Sequence, residues 1–368
     1  MEYRFIVTGG GTSGHINPAI TIADTLKRKY AERGDTCKII FTGRSEGLEG
    51  DLVPKAGYEF RNIDAKPFPM RPGPRMAKAV RALRRGEKQC FEIIKEFEPD
   101  AVIGTGGYVC PPLLLSAEKI GVPVIIHEAN AFPGRANKLV ARRAALVLTG
   151  FSGQEEVFKG AKKIVCTGNP IRDIMFGNTY EGAREKLGIP LDQKMVFAMG
   201  GSLGSKTIND FIVRTAALPE FHDVRFVLSS GKQQTGSLSE GGVLPENLTV
   251  MEYVDNTNDY LMGADVCITR SGAVTCAETA ALPACSVMVP YPYAAHDHQT
   301  YNAKAFADVG GAVLMSDADV CEGKLTPVLR ELLDDTEKRL HMRKMAATLA
   351  TPRCSDVIFE EIDKVVRK

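Results

Sequence analysis

The sequence lacks several features that assign a chain to a broad class of protein. No stretch approaches the roughly 18 uninterrupted apolar residues that a membrane-spanning helix requires. The formal net charge is only +1 at pH 7, which argues against a surface built as a whole to bind nucleic acid. The nine cysteines include no C-x-x-C pair, a pattern typical of reduced cytosolic thiols. We therefore expect a cytosolic protein that meets a membrane only by lying on its surface.

Composition and length indicate a large globular protein. Hydrophobic residues make up 44% and charged residues 25% of the 368 residues, and a chain of this length is expected to form two domains. The N-terminal segment MEYRFIVTGGG has a charged pair before one short apolar run that stops at glycines. A signal peptide has a basic start and a longer apolar stretch, so we do not expect one here.

Short β-branched runs alternate with helical patterns along both halves of the chain. In the first half they lie at residues 5–8, 38–41, 101–103, 124–126 and 145–148, and in the second they begin at residues 194, 224, 248, 264 and 286. Strands that alternate with helices imply a parallel sheet, and continuous apolar runs such as VPVIIH are typical of strands buried on both faces. The sequence therefore predicts an α/β protein with two Rossmann-like domains.

We place the first domain at residues 1–168 together with about 352–368, and the second at 169–351. The end of the chain, residues 324–345 and 355–366, has helical spacing that is interrupted at Thr351 and Pro352. We expect the terminal helix to cross back to the first domain.

Each predicted domain begins with a strand that runs directly into glycines, at residues 9–14 and 200–204. Such glycines let backbone N–H groups approach an anion, and the N-terminus of the following helix adds partial positive charge. The first loop does not complete the dinucleotide fingerprint, which requires G-x-G-x-x-G on a βαβ unit and an acidic ribose partner about 20 residues later. Taken alone, each loop is equally compatible with a structural turn.

His15 follows the first glycine loop, at the edge of the predicted sheet where ligands of open α/β folds collect. A histidine there can accept a proton near neutral pH, which makes His15 a candidate general base. The alternative is a histidine that only caps the following helix or contacts a strand carbonyl.

In the second half, a helix is predicted to start at Ser271 and Gly272, after the strand ADVCIT. Its start can hold a diphosphate, and Glu278 one or two turns later can accept hydrogen bonds from the vicinal hydroxyls of a ribose. A solvent-facing glutamate is the alternative.

The loop at residues 291–302 is rich in hydrogen-bond donors and can contact sugar hydroxyls. Its two histidines and one aspartate are too close in sequence to point inward together, so no metal site is predicted.

Two further polar segments, residues 104–108 and 127–130, follow neighbouring strands of the first half. Both are expected on one rim of the sheet. Turn chemistry together with helix capping by Asn130 would explain them without a ligand.

A basic segment extends from Lys66 to Lys88 and contains eight basic residues and a single acidic residue, Glu87. On a helix from about Arg75, one face carries Lys78, Arg81, Arg85 and Lys88 and another carries Met76, Val80 and Leu83, which suits an anionic lipid surface. The candidate membrane-contact residues are Phe68, Met70, Arg81, Arg84, Arg85 and Lys88. A solvated basic helix is the alternative, and a nucleic-acid patch is disfavoured because no aromatic platform accompanies it.

Taken together, seven motifs resemble the MurG glycosyltransferases, in glycosyltransferase family 28, in order and spacing. They are GGGTSGHINPA, GTGGYVCPP, HEANAFPGRANK, GNPIR, GGSLGSKTIN, RSGAVTCAE and HDHQTYNA. The resemblance implies a GT-B fold, with two Rossmann-like domains facing across a cleft. It also implies inverting transfer of N-acetylglucosamine (GlcNAc) from UDP-GlcNAc to the 4-hydroxyl of N-acetylmuramic acid (MurNAc) in undecaprenyl-diphospho-MurNAc-pentapeptide. That reaction converts lipid I to lipid II in peptidoglycan synthesis.

The implied location is the cytoplasmic face of the cell membrane, as a peripheral protein. The implied partners are UDP-GlcNAc, lipid I, an anionic membrane surface and other cell-wall synthesis and division proteins, without nucleic acid. No cofactor is implied, since UDP-GlcNAc is a substrate and fixed N–H dipoles can stabilise the leaving diphosphate without a divalent ion.

The resemblance also assigns roles to single residues. His15 is the candidate general base, Glu128 a second candidate, and Tyr108 lies on the acceptor side. Glu278 would hold the ribose and the backbone of Val254 the uracil. Ser202 and the helix start near Ala273 would hold the diphosphate, and Gln299 the sugar hydroxyls. The complete donor-binding set is Thr12, Ser13, Gly14, Asn130, Arg172, Ser202, Val254, Ala273, Val274, Thr275, Cys276, Ala277, Glu278 and Gln299.

The chain departs from the family pattern at two places. Leu203 stands where a glutamine is usual, and residues 280–285 lack the usual glycine before Leu282 and Pro283. The alternatives are a glycolipid-forming sugar transferase, a UDP-GlcNAc 2-epimerase, and a catalytically silent nucleotide-sugar binder that recruits division proteins. An epimerase would need further acid and base carboxylates around the sugar, which we cannot place in this sequence.

Overall fold

The computed structural model describes residues 1–69, 73–171, 179–201, 203–231, 243–254, 256–294 and 297–367. The chain forms two compact units, Met1–Ile171 with Arg353–Lys368, and Arg172–Pro352.

In the described part of the first unit, seven parallel strands form one sheet in the order β3-β2-β1-β4-β5-β6-β7. The strands are β1 (Glu2–Thr8), β2 (Thr36–Gly43), β3 (Glu59–Asn62), β4 (Ala101–Gly104), β5 (Val124–Glu128), β6 (Leu146–Thr149) and β7 (Ile164–Cys166). The helices are α1 (Ser13–Glu32), α2 (Glu49–Lys55), α3 (Pro74–Phe97), α4 (Cys110–Lys119) and α5 (Arg135–Ala141).

The apolar strands of this sheet are buried on both faces. Phe5 and Val7 of β1 pack in one cluster with α1, whereas Ile6 packs in a second cluster with α3 and α4. Successive side chains of a strand point to opposite faces, so a continuous apolar run supplies both layers. The helix at the end of the chain, Cys354–Val366, adds Ile358 and Phe359 to the first cluster.

The described part of the second unit has a six-stranded parallel sheet in the order β10-β9-β8-β11-β12-β13. The strands are β8 (Met195–Met199), β9 (Arg225–Ser229), β10 (Leu248–Met251), β11 (Val266–Thr269), β12 (Ser286–Met288) and β13 (Ala312–Leu314). The helices are α6 (Tyr180–Leu187), α7 (Lys206–Ala216), α8 (Thr257–Gly263), α9 (Ala273–Ala281), α10 (His298–Asp308), α11 (Asp317–Cys321), α12 (Leu325–Asp334) and α13 (Thr336–Ala347). The terminal helix of the chain is therefore α14.

The structure confirms the strands predicted from apolar runs and adds three others. These are β3, β7 and β13, and each lies at an edge of its sheet. β3 has the sequence EFRN with one apolar residue, and β7 and β13 are only three residues long, so each gives a weak sequence signal. The single helix expected at residues 324–345 is instead two helices. Asp335 separates them, and its side chain accepts a hydrogen bond from the Lys338 N–H at 2.8 Å.

The first glycine loop has two of the three parts of the dinucleotide fingerprint. Gly9, Gly11 and Gly14 have the G-x-G-x-x-G spacing, and β1, α1 and β2 form a βαβ unit. The missing part is the carboxylate, because β2 ends at Gly43 and is followed by Arg44. β2 therefore ends without the acidic residue that would bind a ribose.

A search of the described residues finds no helix whose length and apolar character would let it span a bilayer.

Candidate active site

The polar segments of the first unit lie at the carboxyl ends of β1, β4 and β5, which are neighbours in the sheet. Parallel strands place these ends on one edge, so the prediction that residues 104–108 and 127–130 share a rim is confirmed. The loop after β1 also contacts the loop after β4. The Gly10 N–H donates to the Gly106 carbonyl at 3.3 Å, and the Thr105 hydroxyl donates to the His15 carbonyl at 2.7 Å.

Glycine is required where these two loops meet. A methyl group at Gly107 would lie 2.1 Å from the Gly10 carbonyl oxygen, and one at Gly106 would lie 2.7 Å from the His15 ring. Gly106 and Gly107 also have φ values of 114° and 90°, which L side chains rarely adopt. The two backbones can therefore approach only because side chains are absent.

His15 lies in the first turn of α1, and its imidazole turns back toward the glycine loop. Nδ1 lies 3.2 Å from the Gly10 carbonyl oxygen and 3.2 Å from Thr12 Oγ1. A carbonyl can only accept, so the proton of the neutral ring belongs on Nδ1 and Nε2 carries the lone pair. His15 therefore has the tautomer that a general base needs. Thr12 is the N-cap residue, and its hydroxyl makes no capping hydrogen bond.

Tyr108 borders the same loop. A methyl group at Gly11 would lie 3.2 Å from Tyr108 Cε1, so the ring passes beside the glycine backbone. The Tyr108 hydroxyl lies 3.4 Å from the Arg44 guanidinium. Thr12 and His15 belong to one predicted motif and Tyr108 to another, and the fold brings the two motifs together in the first unit. Ser13 is half-buried and Gly14 exposed at the start of α1.

Glu128 is buried, and the hydrogen-bonding capacity of its carboxylate is largely used. One oxygen accepts from the N–H of Asn130 at 3.0 Å and from its side-chain amide at 3.3 Å. The other accepts from the Gly134 N–H at 2.8 Å and the Asn137 amide at 2.9 Å. These contacts fix the segment from Asn130 to Gly134. The geometry favours His15 over Glu128 as the proton acceptor, and the role of Glu128 as a base stays a prediction.

Asn130 does not cap α5, which begins at Arg135 with Gly134 as its N-cap, so the capping interpretation is wrong. Gln154 supports the segment from the other side. Its amide donates to the carbonyls of Asn130 and Ala131 at 2.6 and 3.2 Å. We did not select Gln154 from the sequence, because it lies in none of the motifs. Asn137 lies within HEANAFPGRANK, but only the fold shows that it contacts Glu128, nine residues earlier.

His127 precedes Glu128 and is completely buried. Burial lowers the pKa of His127 to about 4, and a contact of 3.3 Å between Nε2 and the Gly168 carbonyl partly opposes this shift. The imidazole is therefore neutral at pH 7 and serves the packing of the sheet.

In the second unit, the loop after β8 has φ values of 87° at Gly201 and 81° at Gly204. It leads into α7, where the Ser205 hydroxyl accepts a hydrogen bond from the Ile208 N–H. Leu203, which replaces the usual glutamine, is 55% exposed and supplies no polar group to this loop. Ser202 lies outside the described residues, as do Arg172 of the donor-binding set and Met70 of the membrane-contact set.

Arg270 joins the loops of this sheet edge. Its guanidinium donates to Ser205 Oγ at 2.7 Å and to the carbonyls of Val289 and Pro290 at 3.1 and 2.9 Å, and it pairs with Asp317. Arg270 thus holds together the loops that follow three strands of this sheet. We did not select it from the sequence, although it opens the motif RSGAVTCAE.

The helix predicted near Ser271 is confirmed as α9, with Gly272 as its N-cap and no side-chain cap. The first-turn N–H groups of a helix have no acceptor within the helix, so they can face an anion. Ala273 and Cys276 are buried, and burial raises the pKa of the Cys276 thiol, so this residue contributes packing. The half-buried residues of the predicted run are Val274, Thr275, Ala277 and Glu278.

Gln299, on α10, lies beside the start of α9. The Ser271 hydroxyl donates to the Gln299 carbonyl at 2.8 Å, and Gln299 Oε1 accepts from the Tyr291 N–H at 2.9 Å. Val254 is buried just after β10. The other family departure is accommodated locally: α9 ends at Ala281, and the Ala284 N–H donates to the Thr279 carbonyl at 3.0 Å without a glycine in the turn.

The basic helix α3 begins at Pro74, one residue before the predicted start. Ala79, Ala82 and Gly86 face inward, whereas the four candidate cations on the helix are exposed. Arg85 forms an ion pair with Asp64 at 2.6 Å, which reduces its availability for another anion. Phe68 is half-buried. The four exposed cations are Arg81, Arg84, Arg85 and Lys88.

Each unit is a parallel sheet with polar loops at its carboxyl edge, where open α/β folds bind ligands, and both units match domain models of one glycosyltransferase family. The chain matches the glycosyltransferase family 28 N-terminal domain over residues 5–149 and the family 28 C-terminal domain over residues 195–358. The chain therefore belongs to glycosyltransferase family 28, and its fold is of the two-domain GT-B type.

Among curated relatives, a protein of Acetivibrio thermocellus is 35% identical, with 99% of this chain and 98% of the relative covered. One from Clostridioides difficile is 34% identical, with 98% of this chain and 89% of the relative covered. Both are named UDP-N-acetylglucosamine–N-acetylmuramyl-(pentapeptide) pyrophosphoryl-undecaprenol N-acetylglucosamine transferase.

Among solved structures, MurG of Acinetobacter baumannii is similar with a TM-score of 0.75 and 27% identity, covering 98% of this chain and 99% of that one. The UDP-GlcNAc 2-epimerase of Neisseria meningitidis, bound to UDP-GlcNAc, has a TM-score of 0.66 at 15% identity. The match covers 99% of this chain and 100% of the epimerase chain. The second likeness shows a shared fold only.

Proposed function

We propose that this protein is an inverting glycosyltransferase of peptidoglycan synthesis. It transfers GlcNAc from UDP-GlcNAc to the 4-hydroxyl of MurNAc in undecaprenyl-diphospho-MurNAc-pentapeptide, which converts lipid I to lipid II. Relatives that share about a third of its residues over nearly the full chain are named for this transfer. The observation that carries the proposal on the chemical side is His15, whose Nδ1 contact with the Gly10 carbonyl leaves Nε2 as the basic atom.

The acceptor hydroxyl loses its proton as it attacks the anomeric carbon, so a base beside it lowers the barrier. Nε2 of His15 takes this proton, and the Gly10 carbonyl stabilises the imidazolium through the Nδ1–H bond. Attack opposite the leaving group inverts the anomeric centre, so an α-linked donor gives a β-linked product. The Tyr108 ring lies beside Gly11 of the loop that holds His15, and we assign Tyr108 to the acceptor side.

UDP leaves with increasing negative charge on its β-phosphate. The glycine loop after β8 and the N-terminus of α9 offer backbone N–H groups that are already oriented, which stabilises this charge without reorganisation. Our proposal therefore requires no divalent ion.

We assign the donor contacts residue by residue. Glu278 accepts hydrogen bonds from the ribose, the Val254 backbone contacts uracil and Gln299 contacts the GlcNAc hydroxyls. The first unit contributes the start of α1 and Asn130. The complete proposed set is Thr12, Ser13, Gly14, Asn130, Arg172, Ser202, Val254, Ala273, Val274, Thr275, Cys276, Ala277, Glu278 and Gln299.

The acceptor is a membrane lipid, so we also propose peripheral binding to the cytoplasmic face of the cell membrane through α3. Its exposed cations attract anionic lipid headgroups, and Phe68 and Met70 would enter the interface. As the resemblance implies, we also propose contacts with other cell-wall synthesis and division proteins and roles in cell shape and division.

The test is release of UDP from labelled UDP-GlcNAc in the presence of a lipid I analogue, with and without the acceptor. We expect UDP and a β-1,4-linked disaccharide lipid only when the acceptor is present. Epimerised UDP-sugar without acceptor would indicate an epimerase. Donor binding without turnover across several detergents and salt concentrations would reject the transferase assignment.

A further inference from the structure

One buried carboxylate beside the His15 loop has no part in the proposed chemistry. Glu49 is the first residue of α2 and is only 1% exposed. Its Oε2 accepts a hydrogen bond from the Gly11 N–H at 3.1 Å, and its Oε1 accepts one from the Arg44 N–H at 3.2 Å. One side chain thus joins the loop after β1 to the loop after β2.

The surroundings of Glu49 leave room for this carboxylate and little else. A methyl group at Gly10 or at Gly47 would lie 2.6 Å from Glu49 Cδ, and one at Gly43 would lie 2.7 Å from Glu49 Cγ. Real Cβ atoms do not approach other atoms so closely, so three glycines form the space that the side chain fills. Hydrogen bonds between a buried carboxylate and backbone N–H groups are also among the stronger ones in proteins.

Both loops held by Glu49 lead to residues of the proposed site. Gly11 follows Gly10, whose carbonyl lies 3.2 Å from His15 Nδ1. Gly11 also lies against the Tyr108 ring. On the other loop, the Arg44 guanidinium reaches the Tyr108 hydroxyl at 3.4 Å.

We propose that Glu49 is a positioning residue for the transfer reaction. By holding the N–H groups of Gly11 and Arg44, it sets the backbone that aims His15 at the acceptor hydroxyl and places Tyr108 beside it. Glu49 does not touch the substrates and acts through these two loops. This inference rests on the proposed function, because it concerns the same reaction.

Glutamine at this position keeps the shape of the side chain but changes its hydrogen bonding. Its amide NH₂ replaces one carboxylate oxygen and points at a backbone N–H, so two donors face each other and one loop must shift. A misplacement of about 1 Å near a reacting group can lower the rate about 10²-fold. We expect Glu49→Gln to lower kcat about 10- to 100-fold.

The test compares Glu49→Gln and Glu49→Asp with the wild type and with the control Asp51→Asn. Asp51 lies on the same helix but is exposed and pairs with Lys55 at 2.8 Å. The measurements are kcat, the Kd for UMP, thermal unfolding, and hydrogen exchange of the peptide covering residues 9–16. UMP is the probe because its uracil and ribose are assigned to Val254 and Glu278 of the second unit.

Both Glu49 variants should remain folded, bind UMP within about twofold of the wild type, exchange faster at residues 9–16 and turn over more slowly. In a His15→Ala background, Glu49→Gln should lower kcat only slightly further, because the effects of two residues that act through one group are not additive. Wild-type kcat in both variants, a parallel loss of UMP affinity, or the same fold-loss with and without His15 would overturn the inference. Failure of the wild type to release UDP would instead reject the proposed function itself.

Discussion

Replacement of His15 separates chemistry from binding in this site. His15→Ala removes the basic Nε2 and also the Nδ1 contacts with the Gly10 carbonyl and Thr12 Oγ1, each 3.2 Å long. Loss of a general base typically lowers the rate about 10²- to 10⁴-fold, which corresponds to about 3–5 kcal/mol in the barrier. The positional contacts are neutral hydrogen bonds worth only about 1 kcal/mol each.

His15→Asn is the matched variant, because its amide can still donate to the Gly10 carbonyl but cannot accept a proton. If His15 is the base, both variants should lose about 10²-fold or more in kcat. Added imidazole should restore part of the turnover of His15→Ala. The assay is UDP release at saturating lipid I analogue, together with the UDP Kd by calorimetry, which should change less than about threefold.

The proposal fails if His15→Asn keeps turnover close to that of the wild type, since position alone would then account for the residue. It also fails if His15→Ala weakens UDP binding by the same factor as kcat. A loss of folding is a separate matter, and thermal unfolding of each variant distinguishes it.

Three further predictions concern the donor, the membrane and pH. Glu278→Ala should weaken donor binding by about 1.5–3 kcal/mol, or about 10- to 150-fold, because hydrogen bonds to a charged group are lost. Isothermal titration with UDP checks this, Glu278→Gln should retain part of the affinity, and an unchanged Kd would place the ribose elsewhere. Neutralising the four exposed cations of α3 should reduce binding to anionic vesicles by up to about 1 kcal/mol per charge, with the smallest share from Arg85, and the effect should fade with added salt. Lys95→Gln on the same helix is the control for cosedimentation, and equal partitioning of all variants would leave α3 merely solvated. Burial lowers the pKa of His127 from 6.5 to about 4. As the pH falls from 6.5 to 4, the unfolded chain therefore binds a proton at His127 while the folded chain does not. The free energy of unfolding should therefore decrease by about 3 kcal/mol between pH 6.5 and 4, and less in His127→Asn. Urea titrations at several pH values measure the free energy of unfolding. If it changed with pH equally in the wild type and in His127→Asn, the prediction would be contradicted.

Much of the fold follows from local patterns. The central strands were predictable because they are short apolar runs buried on both faces, as at residues 124–126. The edge strands β3, β7 and β13 were not, since β3 has one apolar residue and the other two span only three residues each. Asp335, which ends one helix and caps the next, also escaped prediction, because the apolar spacing continues across it.

The candidate site was predictable where a motif lies within one loop. His15 was found because it directly follows glycines at a strand end, and α9 because Gly272 follows a strand. Glu49 was missed, although it contacts Gly11, because 38 residues separate them in the chain. Arg270 was missed for a similar reason, since its partners come from the ends of other strands and from α11.

The sequence by itself determined the succession of strands and helices, the glycine loops and the residue types at each strand end. Only the tertiary structure decided which distant groups share a hydrogen bond. Arg184 is completely buried and donates to Asp265 at 2.6 Å and to the carbonyls of Gly263, Pro190 and Gln193. Periodicity and turn chemistry act over a few residues and can be read along the chain. A buried charge requires partners from several elements at once, and these meet only when the chain has folded.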